Sequence, residues 1–267
     1  MIDINTIGIA IITCDREEFF KRCLSSIPFT DRLIIINDGQ PYPLQTYPEG
    51  VPVLQHTRNM GVAASKNEAL RKLIDRGCEH LFLIEDDIRL LRADVFETYI
   101  KTAAASGIWH LNYALHGSYN RDSSSAPQVK NIIEYKPGIS VAFYQNILGA
   151  FSYYLKGVIK NVGYMDEGFR NAFEHVDHTY RIIKKGLHPA FWWFADIAES
   201  WNYIEDQTEN YAGSKIRNEK EFAANFQRAM SLFQYKHGTI PQNVPQISEA
   251  EVLKQLEEIQ HDYAKEL

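Results

Sequence analysis

Leu81-Phe82-Leu83-Ile84-Glu85-Asp86-Asp87 is an apolar run of strand length that ends in three adjacent carboxylates. Four bulky apolar residues in a row describe a strand buried on both faces, and such strands belong to parallel α/β sheets. The three acids then emerge together at the carboxyl end of the strand, the edge at which open α/β sheets bind ligands. Like charges there repel one another. A divalent cation with hard oxygen ligands, itself bound to a polyphosphate, makes such a cluster favourable. A solvated acidic turn is the plain alternative.

Working outward, Ile7 to Ile12 predicts a first buried strand, and Asp15 with Glu18 three residues on matches a capping box. The helix it would start carries Phe19, Phe20, Cys23, Leu24 and Ile27 at helical spacing. Leu33-Ile34-Ile35-Ile36 followed by Asn37-Asp38-Gly39 predicts a second buried strand ending in a polar turn. The stretch His56 to Asn67 passes through Asn59-Met60-Gly61 into a helix supported by Leu70, Leu73 and Ile74. A helix N-terminus with Arg58 and Lys66 nearby suits an anion, although residue type alone makes Lys66 a solvated helix charge. Val95 to Ala104 predicts another amphipathic helix, Ile108 to Tyr113 a strand, and the polar Ala114 to Pro127 a long loop. Residues 114 to 140 are expected as loops that shape an acceptor pocket. Strands alternating with helices in this way describe a parallel α/β sheet.

Three ordered stretches carry a family resemblance. They are Leu83 to Tyr99, then His56 to Asn67, then Gly149 to Lys156 with Val162 to Phe169 and Glu174 to Arg181. Together they resemble the nucleotide-sugar glycosyltransferases of the GT-A fold over about residues 7 to 238, and the Glu-Asp-Asp spelling is similar to that of N-acetylglucosaminyltransferase I. The resemblance implies a mixed, mainly parallel sheet with helices on both faces and a helical C-terminal extension. It implies transfer of a sugar from a UDP-linked donor to an acceptor hydroxyl, with manganese or magnesium held by Asp87 and Asp86. Thr13, Asp15 and Arg16 would lie against the nucleotide, and Asp38 would read its base. Arg58, Asn59, Gly61 and Lys66 would face the diphosphate. Asp86 would touch metal or ribose, and Glu85 the ribose or donor sugar. Tyr211 to Arg217 resembles a lid, with Lys215 and Arg217 as diphosphate contacts. No histidine is recognised at the late metal-ligand position.

A helix beginning near Phe173 would place Glu174, Asp177 and His178 on one face. Many relatives have Glu-Asp here, whereas this chain has Glu174-His175. The expected mechanism is inversion with Glu174 or Asp177 as base and His175 orienting it or replacing it; retention needs no such base.

The 267 residues and net charge of −6 fit one α/β domain with no general basic field, so nucleic acid is not indicated by charge and stays open only as an acceptor. Residues 1–203 are expected as the catalytic domain and 204–267 as lid and helical extension. Cys14, Cys23 and Cys78 have no metal-ligand spacing, and with no apolar run of membrane-spanning length or signal peptide the expected location is cytoplasmic. Phe191-Trp192-Trp193-Phe194 reads as core, with Trp201 a lesser candidate for stacking on a sugar. Ser248 and Glu251 should cap a helix whose Val252, Leu256, Ile259 and Tyr263 form one stripe, packed on the body or on a second copy. The rival readings are a nucleotidyltransferase, whose Gly-rich phosphate loop has no counterpart in Ile12 to Arg16, and an inactive carbohydrate-binding or scaffold protein.

Overall fold

The computed structural model describes residues 6–29, 31–208 and 220–266, with side chains of the last helix described to Tyr263. β1 (Ile7–Thr13), β2 (Leu33–Asn37), β3 (Val53–Gln55), β4 (His80–Glu85), β6 (His110–Asn112) and β9 (Phe151–Leu155) form one sheet in the order β3-β2-β1-β4-β9-β6. The first four run parallel, and β9 is antiparallel to both of its neighbours. Side chains alternate across a strand, and the apolar runs are divided accordingly. Ile9, Ile11, Leu33, Ile35, Phe82 and Ile84 enter one core cluster. Ala10, Ile12, Ile34, Ile36, Leu81 and Leu83 enter the other. The first is covered by α1 (Glu17–Ser25), α3 (Val95–Ser106) and α6 (Glu249–Glu266); the second by α2 (Val62–Asp75), α4 (Lys156–Val162) and α5 (Glu174–Lys184). This is the expected mixed sheet with helices on both faces. Among the described residues no helix is long and apolar enough to cross a membrane.

A second sheet departs from the sequence reading. β7 (Asn131–Lys136), β8 (Ile139–Tyr144) and β10 (Phe194–Ile197) pair antiparallel in the order β10-β8-β7, so residues 131–136 are strand and not acceptor loop. Ile133 and Tyr135 pack on the core from β7, and Gly138, at φ +75°, closes the two-residue turn that a hairpin needs. β11 (Ile204–Asp206) pairs with β5 (Ile88–Leu90) directly after the acidic triplet, which sets Asp206 opposite Ile88.

The Ser248–Glu251 capping box forms, with the Ser248 hydroxyl donating to Glu251 Oε2 at 2.6 Å and Glu251 N–H donating to Ser248 Oγ at 3.3 Å. The Asp15–Glu18 box does not. Asp15 adopts φ +53° and turns its Oδ1 to the Gln40 N–H at 2.5 Å, bridging to the turn after β2, and Arg16 precedes α1 without a side-chain cap. The stripe Val252, Leu256, Ile259 and Tyr263 is buried against the chain's own core, which leaves it no face for the second copy considered from sequence. Gly107 permits this docking: it sits at φ +78°, and a Cβ there would lie 2.6 Å from Gln260 Cα. Leu256→Ala should therefore cost about 3 kcal/mol, in the usual range for a buried leucine. Denaturant unfolding should show the same loss at low and high protein concentration. A loss that appears only in dilute protein would instead place the stripe in an intermolecular contact.

Candidate active site

β1, β2 and β3 follow one another to one side while β4 lies on the other side of β1, so the strand order reverses between β1 and β4. Crevices of open α/β sheets form at such a reversal, outside the carboxyl ends of the strands. Thr13, at the end of β1, lies beside Asn37, and Ile12 lies beside Glu85. The Thr13 hydroxyl donates to Asp86 Oδ2 at 2.6 Å and shares a 2.7 Å hydrogen bond with Tyr42. Arg16, reaching back from the end of the first turn, donates to Asp86 Oδ1 and to Asp87 Oδ2, the latter at 2.9 Å. Burial pushes Asp86 up to about 7 against the pull of Arg16. Burial acts in the same direction on Asp87 but is outweighed by His116 and Arg16, which hold its carboxyl below the ordinary range.

His116 is the residue the sequence reading missed. It comes from the turn region after β6 and places Nε2 3.5 Å from Asp87 Oδ2 and 3.6 Å from Asp206 Oδ1. Burial would lower this imidazole, but the Asp87 and Asp206 carboxylates raise it to about 9. Its sequence context offered no spacing signal, because the pairing of β11 with β5 and the end of β6 bring the three side chains together through space. Both Asp86 oxygens are taken by Thr13 and Arg16, whereas Asp87 Oδ1 is buried and has no hydrogen-bond partner among the described residues. Among the described residues no three His, Cys, Asp or Glu side chains form a complete metal-ligand set.

Across from the acids lies a buried charged cluster. Lys66, 1% exposed, donates to the Gly149 carbonyl at 3.0 Å and pairs with Glu85 at 2.7 Å and Glu174 at 3.3 Å. Its charge is spent inside the protein, which corrects both the diphosphate contact and the solvated helix charge expected from sequence. Glu174 and His175 open α5, with His175 Nδ1 3.0 Å from Glu174 Oε1. Burial would raise Glu174, yet His175 and Lys66 hold it at about 2.

Thr13, Arg16, Glu85, Asp86, Asp87 and His116 line a cavity of about 390 Å³, and Glu174 and His175 line the same cavity. A larger neighbouring cavity, about 1050 Å³, is lined by Asp15, Arg58 and Arg170, and Asp38 and Asn59 border both. Asp38 is not open to a base in the way expected. Its Oδ1 accepts from Met60 N–H at 2.6 Å and meets His56 at 2.6 Å, and its Oδ2 accepts from Gly61 N–H at 2.8 Å. Gly61, at φ +91°, is thus a turn residue packed on Arg170, and it lines neither cavity. Asp177 fails as a base candidate: it is fully buried, bound by Arg181 at 2.9 Å and by Lys236 and His237 at 2.8 Å, and lines neither cavity. Trp201 sits on a 3-10 turn outside both. Of the loop expected to shape an acceptor pocket, residues 114 to 140, only His116 and Tyr119 reach the smaller cavity. Lys215 and Arg217 lie outside the described residues.

No protein-family model and no curated protein matches the sequence. Solved structures do match. The S. aureus protein TarS aligns at 14% identity with a TM-score of 0.51, covering 97% of this chain and 49% of that one. GalNAc-T7, solved with UDP, GalNAc and Mn2+, aligns at 12% identity with a TM-score of 0.52, covering 99% of this chain and 57% of that one. Both are GT-A glycosyltransferases, and the chain has the GT-A fold. It spans about half the length of each of these two chains.

The depressed Glu174 carboxyl has a thermodynamic consequence. A group at about 2 when folded and 4.5 when free contributes stability that is present above pH 4.5 and lost as pH falls toward 2. The contribution is roughly 3 kcal/mol for a shift of this size. Denaturant unfolding followed from neutral to acid pH should show a shallower acid limb for Glu174→Gln than for wild type. Parallel limbs would mean that Glu174 is not held ionised by Lys66 and His175.

Proposed function

We propose that the protein is a metal-dependent glycosyltransferase that moves a sugar from a UDP-linked donor to an acceptor hydroxyl. The observation that carries this reading is Asp87 Oδ1, a buried carboxylate oxygen without a partner among the described residues, at the β4 end of a GT-A sheet and beside the smaller cavity. A buried acceptor of this kind normally finds a partner. Asp87 is a hard oxygen donor for a divalent ion such as Mn2+ or Mg2+, and His116 Nε2, close to the same carboxylate, would become a second donor once the ion displaces its proton. Asp87 would hold it, His116 would assist, and the donor's diphosphate and water would complete the shell. Asp86 serves instead to anchor Arg16 and Thr13. When bound, the ion neutralises the charge that builds on the leaving diphosphate. UDP is taken as the nucleotide after the UDP present in the GalNAc-T7 structure.

The chain's own groups supply orientation. Arg16 fixes the two acids, Glu85 is aimed by Lys66, Asn59 offers a polar group where the two cavities meet, and Arg58 offers its guanidinium in the larger one. Aromatic side chains, among them Tyr119, Phe191 and Trp192, line the smaller cavity and suit the apolar faces of a sugar ring. Glu174 and His175 line the same cavity as Asp87, and in this reading they would face the acceptor hydroxyl of an inverting transfer.

Asp87→Asn should weaken Mn2+ binding in the presence of UDP by tenfold or more, about 1.4 kcal/mol. The free-ion Mn2+ resonance during titration measures it directly, and the UDP-plus-Mn2+ rise in melting temperature should vanish with it. An unaltered Mn2+ isotherm in this variant would remove Asp87 from the site. A wild-type protein stabilised by neither UDP nor GDP, with or without Mn2+, would count against the transferase reading.

A further inference from the structure

The base in this site is a choice between two adjacent side chains, and their surroundings separate them. Glu174 is 4% exposed, and its Oε1 already meets two cationic or donor groups, Lys66 Nζ at 3.3 Å and His175 Nδ1 at 3.0 Å. A carboxylate committed in this way is a poor proton acceptor, and its depressed affinity for protons agrees. The His175 side chain is more open, 22% exposed, and lines the cavity that also holds Asp87. Because ionised Glu174 can only accept, the hydrogen bond assigns the proton to Nδ1 and leaves the lone pair on Nε2. Among the described residues Nε2 makes no hydrogen bond.

The ring is also held in place. A Cβ at Gly149 would lie 3.0 Å from His175 Cγ and Nδ1 and 3.1 Å from Lys66 Nζ, so the absence of a side chain there lets imidazole and ammonium approach the same backbone. Gly149 in turn accepts from Lys66, and Lys66 bridges Glu174 to Glu85 on β4. A continuous chain of contacts, Glu85 to Lys66 to Glu174 to His175, therefore links the acid-bearing strand to the imidazole. Preorganisation of a base by a second residue, itself held by a third, is what a proton-transfer site requires.

We propose that His175 Nε2 takes the proton of the acceptor hydroxyl, with Glu174 fixing the ring's tautomer and Lys66 fixing Glu174. The inference rests on the transferase reading and names the base within it. As the acceptor oxygen forms its bond to the anomeric carbon, the bond from that carbon to the diphosphate oxygen breaks and its electron pair leaves with the nucleoside diphosphate. The hydroxyl proton passes to Nε2, and the imidazolium is stabilised by Glu174. His175 is then the catalytic residue, and Glu174 and Lys66 are positioning residues.

The test uses the full chain with Mn2+ and a panel of UDP-glucose, UDP-galactose, UDP-GlcNAc and UDP-GalNAc, reading UDP release with water as acceptor. His175→Ala and His175→Asn should each lower kcat by roughly a hundredfold or more, while UDP affinity by calorimetry and donor KM change little. Asn keeps a donor toward Glu174 but has no basic nitrogen, so an equal loss in both variants separates proton transfer from packing. Added imidazole should restore part of the activity of His175→Ala. Independently of turnover, 15N NMR of wild-type protein should report His175 protonated at Nδ1 and bare at Nε2, and Glu174→Gln should disturb that signal. Near-normal kcat in either His175 variant, or a ring protonated at Nε2 alone, overturns the assignment of the base. Wild-type protein that releases UDP from none of the four donors overturns the transferase reading itself, and this base with it.

Discussion

Two carboxylates, adjacent in sequence and nearly or wholly withdrawn from water, must be compensated before this chain can fold. Asp86 and Asp87 are 0% and 3% exposed. Leaving such charges unpaired costs several kcal/mol each, and removing one partner of a buried pair typically costs about 3 to 5 kcal/mol. Arg16 meets both acids at once, Thr13 supplies a hydroxyl to one, and His116 approaches the other. The first turn therefore cannot be an ordinary loop. Its arginine has to arrive over the end of β4, and the unusual φ of Asp15 together with its bond to Gln40 directs the chain there. Hydrogen bonds reach both oxygens of Asp86 but, among the described residues, only one oxygen of Asp87. The feature that defines the candidate site is this remainder of the same electrostatic requirement.

The sheet was legible because its strands are buried on both faces, which leaves an uninterrupted apolar run in the sequence and little ambiguity about element type. Ile7 to Ile12, Leu33 to Ile36 and Leu81 to Ile84 all became central strands, and the acids did emerge at the carboxyl edge. What could not be read was set by contacts distant in sequence. His116 meets Asp87 across 29 positions, and β11 meets β5 across more than a hundred. No local period records such a meeting. Lys66 misled for a related reason: a lysine among Ala63, Ala64 and Asn67 gives no sign that two carboxylates from β4 and α5 will enclose it. The Asp15-to-Glu18 pattern failed because capping competes with any stronger partner for the same side chain, and the Gln40 amide won. Residues 131–136 escaped notice because only Ile133 and Tyr135 pack on the core, a weak alternation beside the fully buried runs.

Lys66 joins the two halves of the candidate site. An ammonium buried to this degree is tolerated only with several partners, and here the partners are Glu85 from β4, Glu174 from α5 and the carbonyl of Gly149. Neither carboxylate can move without leaving the lysine undercompensated. The distance between the acid-bearing strand and the first turn of α5 is thereby fixed by charge, in a part of the molecule where loops alone would set it loosely. Burial would otherwise favour a protonated acid, and at Glu174 it is outweighed by His175 and Lys66 together.

The same constraint explains why this helix start tolerates histidine. An imidazolium at a helix N-terminus opposes the helix dipole, which makes the residue unfavourable there in isolation. Beside an ionised Glu174 the balance changes, since the carboxylate accepts from the ring in the same first turn. The cost of a transient positive charge on His175 is then met by a negative charge that the fold already maintains for Lys66. A carboxylate in its place would add a third acid next to Glu174 and Glu85 with a single lysine among them. On electrostatic grounds the Glu174-His175 pair is therefore a consistent local solution, and its form follows from burying one lysine between two acids.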